Sequence, residues 1–286
     1  MRISIFRHRR VVSSGLAAVG LAAVVSAGSA LSAQAPSAPA PSKPAPAAQG
    51  AKAPASAPAS TASLPSARSI IDRHIEAVGG RKAILSHTSS HATGTMTVAG
   101  AGITGVLDIY SAKPDKSLLK INLGGIGDLL EAFDGIHAWS VSPITGPMLT
   151  QGKELAEKKF DADFYGDLHE DSRYASMKTV EKTTFEGRPC YKVSLVKKDG
   201  GEDVDFYDVE TGLKAGAVVT RESQMGPMTV TQVHSDYQKF GGMLMATTMK
   251  QTAMGVEQLV KITSIEFDNV EPSTFDPPAQ IKALIK

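Results

Sequence analysis

The sequence predicts a mainly β fold, a large curved antiparallel sheet forming a half-open barrel covered by helices. Three observations lead there. From residue 91 onward, apolar and polar residues alternate in runs of strand length. Glycine-bearing turns separate these runs, giving roughly ten to twelve strands at 8–12-residue spacing. Two helical stretches interrupt one long meander, so both pack on the same sheet and leave an apolar concavity under them.

In chain order, residues 1–35 carry the parts of a secretory signal. Arg2, Arg7, Arg9 and Arg10 form a cationic start, an Ala/Val/Leu stretch follows, and small residues near Ala33 and Ala35 offer cleavage sites. Ser13, Ser14, Gly15 and Gly20 interrupt the apolar stretch, which favours cleaved export over an uncleaved anchor. No cysteine lies near these cleavage sites, so no amino-terminal lipid anchor is expected. Residues 36–65 hold eight of the sixteen prolines and no large apolar side chain before Leu64. Such a segment cannot offset its ordering entropy and reads as a disordered linker.

Residues 66–286 are expected to form one domain. All six basic residues of 1–65 lie outside it, leaving 24 basic against 29 acidic side chains, a net charge of −5. That balance argues against nucleic acid as a partner. The lone Cys190 permits no internal disulfide and begins an apolar strand pattern, the setting of a buried, inert thiol.

The domain opens with a helix that Ser66 or Ser69 can cap. Ile70, Ile71, Ile75 and Val78 form its apolar stripe, and Gly79-Gly80 end it in left-handed geometry. Strands follow over 91–98 and 103–112 around the AGAG turn, then over 117–123, 128–133 and 137–141. Pro143, Gly146 and Pro147 break the pattern. A second helix is predicted over 151–168, with Leu155, Phe160 and Phe164 on its apolar side. The rest is a meander over 178–185, 190–197, 203–208, 213–221, 228–240, 243–251 and 256–267.

Catalytic and metal-binding patterns are incomplete. His169-Glu170 begins an H-E-x-x-H motif, but Arg173 stands where the second histidine belongs. His87 and His91 flank a helix-to-strand joint, where a surface turn outweighs a metal site. Asp161, Asp163 and Gly166 match part of a calcium loop, yet Ser172 occupies the position of its bidentate glutamate. Asp161, Asp163, Asp167, Glu170 and Asp171 read instead as a solvated acidic face. The sequence singles out no nucleophile, metal set or cofactor fingerprint, which points to a non-enzyme with no cofactor.

Six of the ten methionines fall in 225–254. Taken singly, each is better explained as core filling. Together, Met225, Met228, Met243, Met245 and Met249 are candidates for a flexible apolar wall against a variable ligand. Trp139 either joins that wall or packs in the core beside the Asp134-Gly135 turn. Phe160 and Phe164 are candidate contacts from a helical lid.

Several phrases, in order, resemble the outer-membrane lipoprotein-sorting proteins of the LolA/LolB-like superfamily: IIDRHIEAVGG (70–80), FDGIHAW (133–139), SPITGPMLTQGKELAEKKFDADF (142–164), FYDVETGL (206–213) and DYQKFGGMLMA (236–246). The resemblance implies a half-open barrel of about eleven strands with a helical lid over bound acyl chains. Ala246 stands where such relatives usually carry proline, and no arginine here maps onto the lid-clasping one of the lipoprotein carrier. The expected function is therefore an exported periplasmic or envelope protein that binds a lipid, a lipoprotein acyl chain or another apolar ligand. The alternatives are an envelope protein-interaction domain without a ligand and a hydrolase with a cryptic triad.

Overall fold

The computed structural model describes residues 63–222 and 226–285. The expected signal, the linker up to residue 62, and Met225 lie outside the described residues.

The first helix, α1 (Ala67–Ala77), begins where Ser66 Oγ accepts a hydrogen bond from Ser69 N at 3.2 Å. Ile70, Ile71 and Ile75 are buried along it, as their spacing dictates. Gly79, at φ 125°, ends it and leads into α2 (Gly80–Leu85). A side chain at Gly79 would press to 2.8 Å of the Gly242 carbonyl, so this junction needs glycine for both conformation and space.

Thirteen strands follow in one antiparallel sheet. They are β1 (Ser89–Val98), β2 (Ile103–Ala112), β3 (Lys116–Asn122), β4 (Asp128–Phe133), β5 (Ala138–Ser142), β6 (Gly146–Thr150) and β7 (Tyr174–Phe185). The second run is β8 (Arg188–Lys197), β9 (Glu202–Asp208), β10 (Lys214–Arg221), β11 (Met228–Phe240), β12 (Met243–Ala253) and β13 (Val256–Phe267). Two meanders are joined by the pairing of β1 with β13, and β6 and β7 are left as the unpaired edges. The sheet is a barrel that does not close.

The extra strand relative to the sequence reading is β6, whose Pro147 spoils the alternating signal. Proline is tolerated there because β6 is an edge strand, with only β5 to bond. Curvature comes from bulges at glycine. The β1–β13 register slips at Thr93/Gly94, where a Cβ would stand 2.2 Å from the Lys261 carbonyl.

The helix expected over 151–168 is broken. It becomes α3 (Gly152–Asp161), a 3₁₀ turn (Gly166–Leu168) and α4 (Glu170–Arg173). Asp163 explains the break: its carboxylate accepts from Tyr165 N at 3.2 Å and lies 2.8 Å from His169 Nδ1, so a side chain competes with the helical backbone.

The helices do not all share one face. Phe133 and Ala138, paired across β4 and β5, pack on Ala162 and Leu155 at α3. Ala132 and Trp139, paired one residue along, face the other way and pack on Ile281 of α5 (Ala279–Lys282). Cys190 is fully buried beside Phe206 and Ala215, and burial raises its thiol pKa, as expected of an inert core thiol.

Candidate functional site

The concave wall follows from the strand register. On β12, Met243, Met245 and Met249 alternate onto one face, because its pairing with β11 keeps a single register throughout. Met243 is buried under α1 and α2 with Ile70, Ile71 and Ile75. Met245 packs against both that cluster and a second one, built from Met96, Leu107, Ile121 and Val260, which Met249 also joins.

Met228 belongs elsewhere, with Ala217, Val219 and Val230. Between the two groups runs a row of amides: Gln232 on β11 faces Gln251 on β12, which faces Gln258 on β13, and all three are buried. The methionine wall is therefore divided, not contiguous.

Trp139 does not line the concavity. It is 2 % exposed on the opposite face, under α5. The alternation of β5 assigns the concave positions to Ala138 and Ser140, which puts Trp139 outside. Phe164 is buried against Tyr165, with ring centroids 5.0 Å apart. Phe160, half-buried, stands edge-on to Tyr174, and the Arg173 guanidinium lies 3.8 Å over its ring.

Phe160 borders a cleft between α1, the α3–α4 segment and strands β7 to β11. Its volume is about 90 Å³. The lining is mostly polar and charged, not greasy. Asp161, Asp163, Asp167 and Glu170 face Asp203 and Asp205 across it, with Arg173, Lys214 and Arg221 between them. The acidic residues of 161–170 thus do not form a solvated face. Glu170 is 4 % exposed, and Asp161 and Asp163 are part-buried and ion-paired.

Ion pairs tie α3 to both limbs of the sheet. Toward β10, Arg221 reaches Asp161 at 3.2 Å, and Glu157 accepts from Glu222 N at 2.7 Å. Toward β4, Lys158 meets Glu131. Burial lowers the Lys158 ammonium pKa to about 8. No residue of α3 itself is fully buried, so these polar ties carry much of its attachment.

Burial sets the other shifts. The Glu170 carboxyl is pushed up to about 7, and the His234 imidazole down to about 3. Asp203, buried beside Arg221, also rises, since desolvation outweighs the attraction of its cationic neighbours.

Sequence reasoning missed Arg221, Asp203, Asp205 and the Lys158–Glu131 pair. A signal existed for two of them. Asp203 and Asp205 fall in phase with Tyr207, an inward position of β9, so their charges had to be buried and paired.

No family model matches the chain, and no curated protein does. Solved structures do. A DUF1329 family protein from Desulfovibrio piger is similar at 14 % identity and a TM-score of 0.54, over 75 % of this chain and 98 % of that one. A LolA superfamily protein from Nitrosomonas europaea is similar at 12 % identity and 0.52, over 75 % and 99 %. The fold is LolA-like. A putative outer membrane lipoprotein-sorting protein domain from Vibrio parahaemolyticus gives 16 % identity and 0.51, over 73 % and 95 %. At these identities the LolA-like likeness is one of architecture, reached independently by the strand order described above.

Proposed function

We propose that residues 66–286 form an exported, non-catalytic binding domain of the cell envelope that holds a lipid or lipoprotein acyl chain against the concave wall of the LolA-like half-barrel. One observation carries this reading. Helix α3 bridges both limbs of an unclosed sheet, buries none of its own residues fully, and is fastened largely by charges. A cover held this way can swing without dismantling a hydrophobic core.

The arrangement described is the closed one. Its cleft of about 90 Å³ is smaller than the ~300–1,000 Å³ typical of ligand pockets, so uptake requires α3 to move. Met245 and Met249, part-buried and unbranched, are the wall residues best able to repack around a guest. Each methylene transferred from water contributes about 0.8 kcal/mol, so part of one acyl chain suffices for useful affinity. The signal-like opening supports export, and among the described residues no helix is long and apolar enough to cross a membrane.

Native mass spectrometry and fluorescent fatty-acid titration of the purified protein test the reading. One equivalent of probe is expected, taken up faster by Lys158→Met, which releases one tie of α3. Absence of uptake by both proteins would overturn it.

A further inference from the structure

We propose that the charged cleft is a binding site for a primary ammonium group, with Glu170 as its principal acceptor. The inference does not depend on the acyl-chain reading.

The charges of the cleft leave one deeply buried carboxylate oxygen without a hydrogen-bond donor. Arg221 engages Asp161 and Asp203, at 3.2 and 3.3 Å. Lys214 engages Asp205 at 2.8 Å, and Arg173 engages Asp163 at 3.4 Å. Asp167, at the exposed rim, makes none of the described ion pairs. Glu170 is deep, its side chain 6 % exposed, and its Oε2 meets no hydrogen-bond donor; the nearest cation, Arg68 on α1, stands 3.8 Å away.

A buried carboxylate oxygen without a donor is costly, and it recognises a ligand that brings both positive charge and N–H groups. Arg173 Nε is likewise buried without a partner, one turn along α4 on the same cleft. It suits an oxygen on the same ligand. At about 90 Å³ the cleft is small against the ~300–1,000 Å³ of typical ligand pockets, which suits a compact ligand such as a short amino alcohol.

The charged groups around Glu170 come from several elements: Arg68 on α1, Asp167 on the preceding turn, Asp171 on α4, and Asp205, Lys214 and Tyr207 across the cleft on the sheet. Only the ionised carboxyl can pair with the cation. Since Glu170 titrates near pH 7, amine affinity should increase about tenfold from pH 6 to pH 8.

The test titrates the full chain calorimetrically with ethanolamine, with ethylene glycol as the neutral analogue and tetramethylammonium as the charge without N–H donors. Saturable binding of ethanolamine alone, weakened tenfold or more in Glu170→Gln, is expected. Equal response to ethylene glycol, unchanged affinity in Glu170→Gln, or no saturable binding would overturn the proposal. Should Glu170→Gln not fold, the pH series on the unaltered chain decides, and a flat series refutes. Vesicles separate the two sources of such an amine. Retention on phosphatidylethanolamine but not phosphatidylglycerol vesicles, competed by free ethanolamine, assigns it to a lipid headgroup. Binding of soluble ethanolamine without vesicle retention assigns it to a free amine.

Discussion

Arg221, at the end of β10, holds Asp161 at the end of α3 across 3.2 Å, and the same guanidinium reaches Asp203 on β9 at 3.3 Å. One cation thus joins the covering helix to the wall it covers. All three side chains are largely buried, so their pairing is not screened as a surface bridge would be.

Arg221→Ala strands Asp161 in a poorly solvated place and leaves Asp203 only the Lys197 ammonium, 3.5 Å away. It should cost about 3–5 kcal/mol in urea denaturation, the range for breaking a buried ion pair from one side. The double variant Arg221→Met with Asp161→Leu, which keeps the Lys197–Asp203 pair, should recover much of that loss. Equal instability in both would show that charge burial is not the cause.

Helix α3 should exchange its amide hydrogens well before α1. Five residues of α1 are buried and none of α3 is, so opening α3 exposes little apolar surface. Hydrogen-exchange mass spectrometry resolves the two segments, and equal protection would contradict a separable cover.

Glu170 should contribute a stability that falls as pH rises from about 4.5 through 7. Its folded-state pKa of about 7 lies above the unfolded value of 4.5, so the native state holds the proton more tightly. The contribution is fully present below pH 4.5 and lost above 7, up to about 3 kcal/mol. His234 acts oppositely. Held neutral by burial down to about pH 3, it favours the fold above 6.5 and less as pH drops. Glu170→Gln should remove the first slope and leave the second, as denaturation midpoints between pH 4 and 8 would reveal.

Trp139 should report on the carboxyl-terminal segment and not on a guest in the concavity. Ile281→Ala, which empties the space against its ring, should cost about 2–5 kcal/mol and shift the emission to the red. Fatty acid added to the unaltered protein should leave that emission unchanged. A ligand-dependent shift would place the ring in contact with the guest after all.

Most strands could be read from alternation and turn glycines, and Ser66 and Gly79 marked the first helix. The failures share a cause. Pro147 obscured β6 because local pattern does not reveal which strand lies at an edge. Asp163 broke the second helix through bonds to His169 and Arg173 that periodicity does not encode. In the site, Met243, Met245 and Met249 were correctly grouped by alternation, but Trp139 is one residue out of phase with the inward face. The ties of α3 bring together residues as far apart as Asp161 and Arg221, a pairing that only the wrapped sheet creates.

The amide row of Gln232, Gln251 and Gln258 acts as a bulkhead across the interior. An alkyl tail lying along Met245 and Met249 gains about 0.8 kcal/mol per carbon until it meets those side chains. Beyond them, each displaced amide takes back about 1–3 kcal/mol. Affinity should therefore climb with tail length and then level off, so the partition would gauge the length of what this protein can hold.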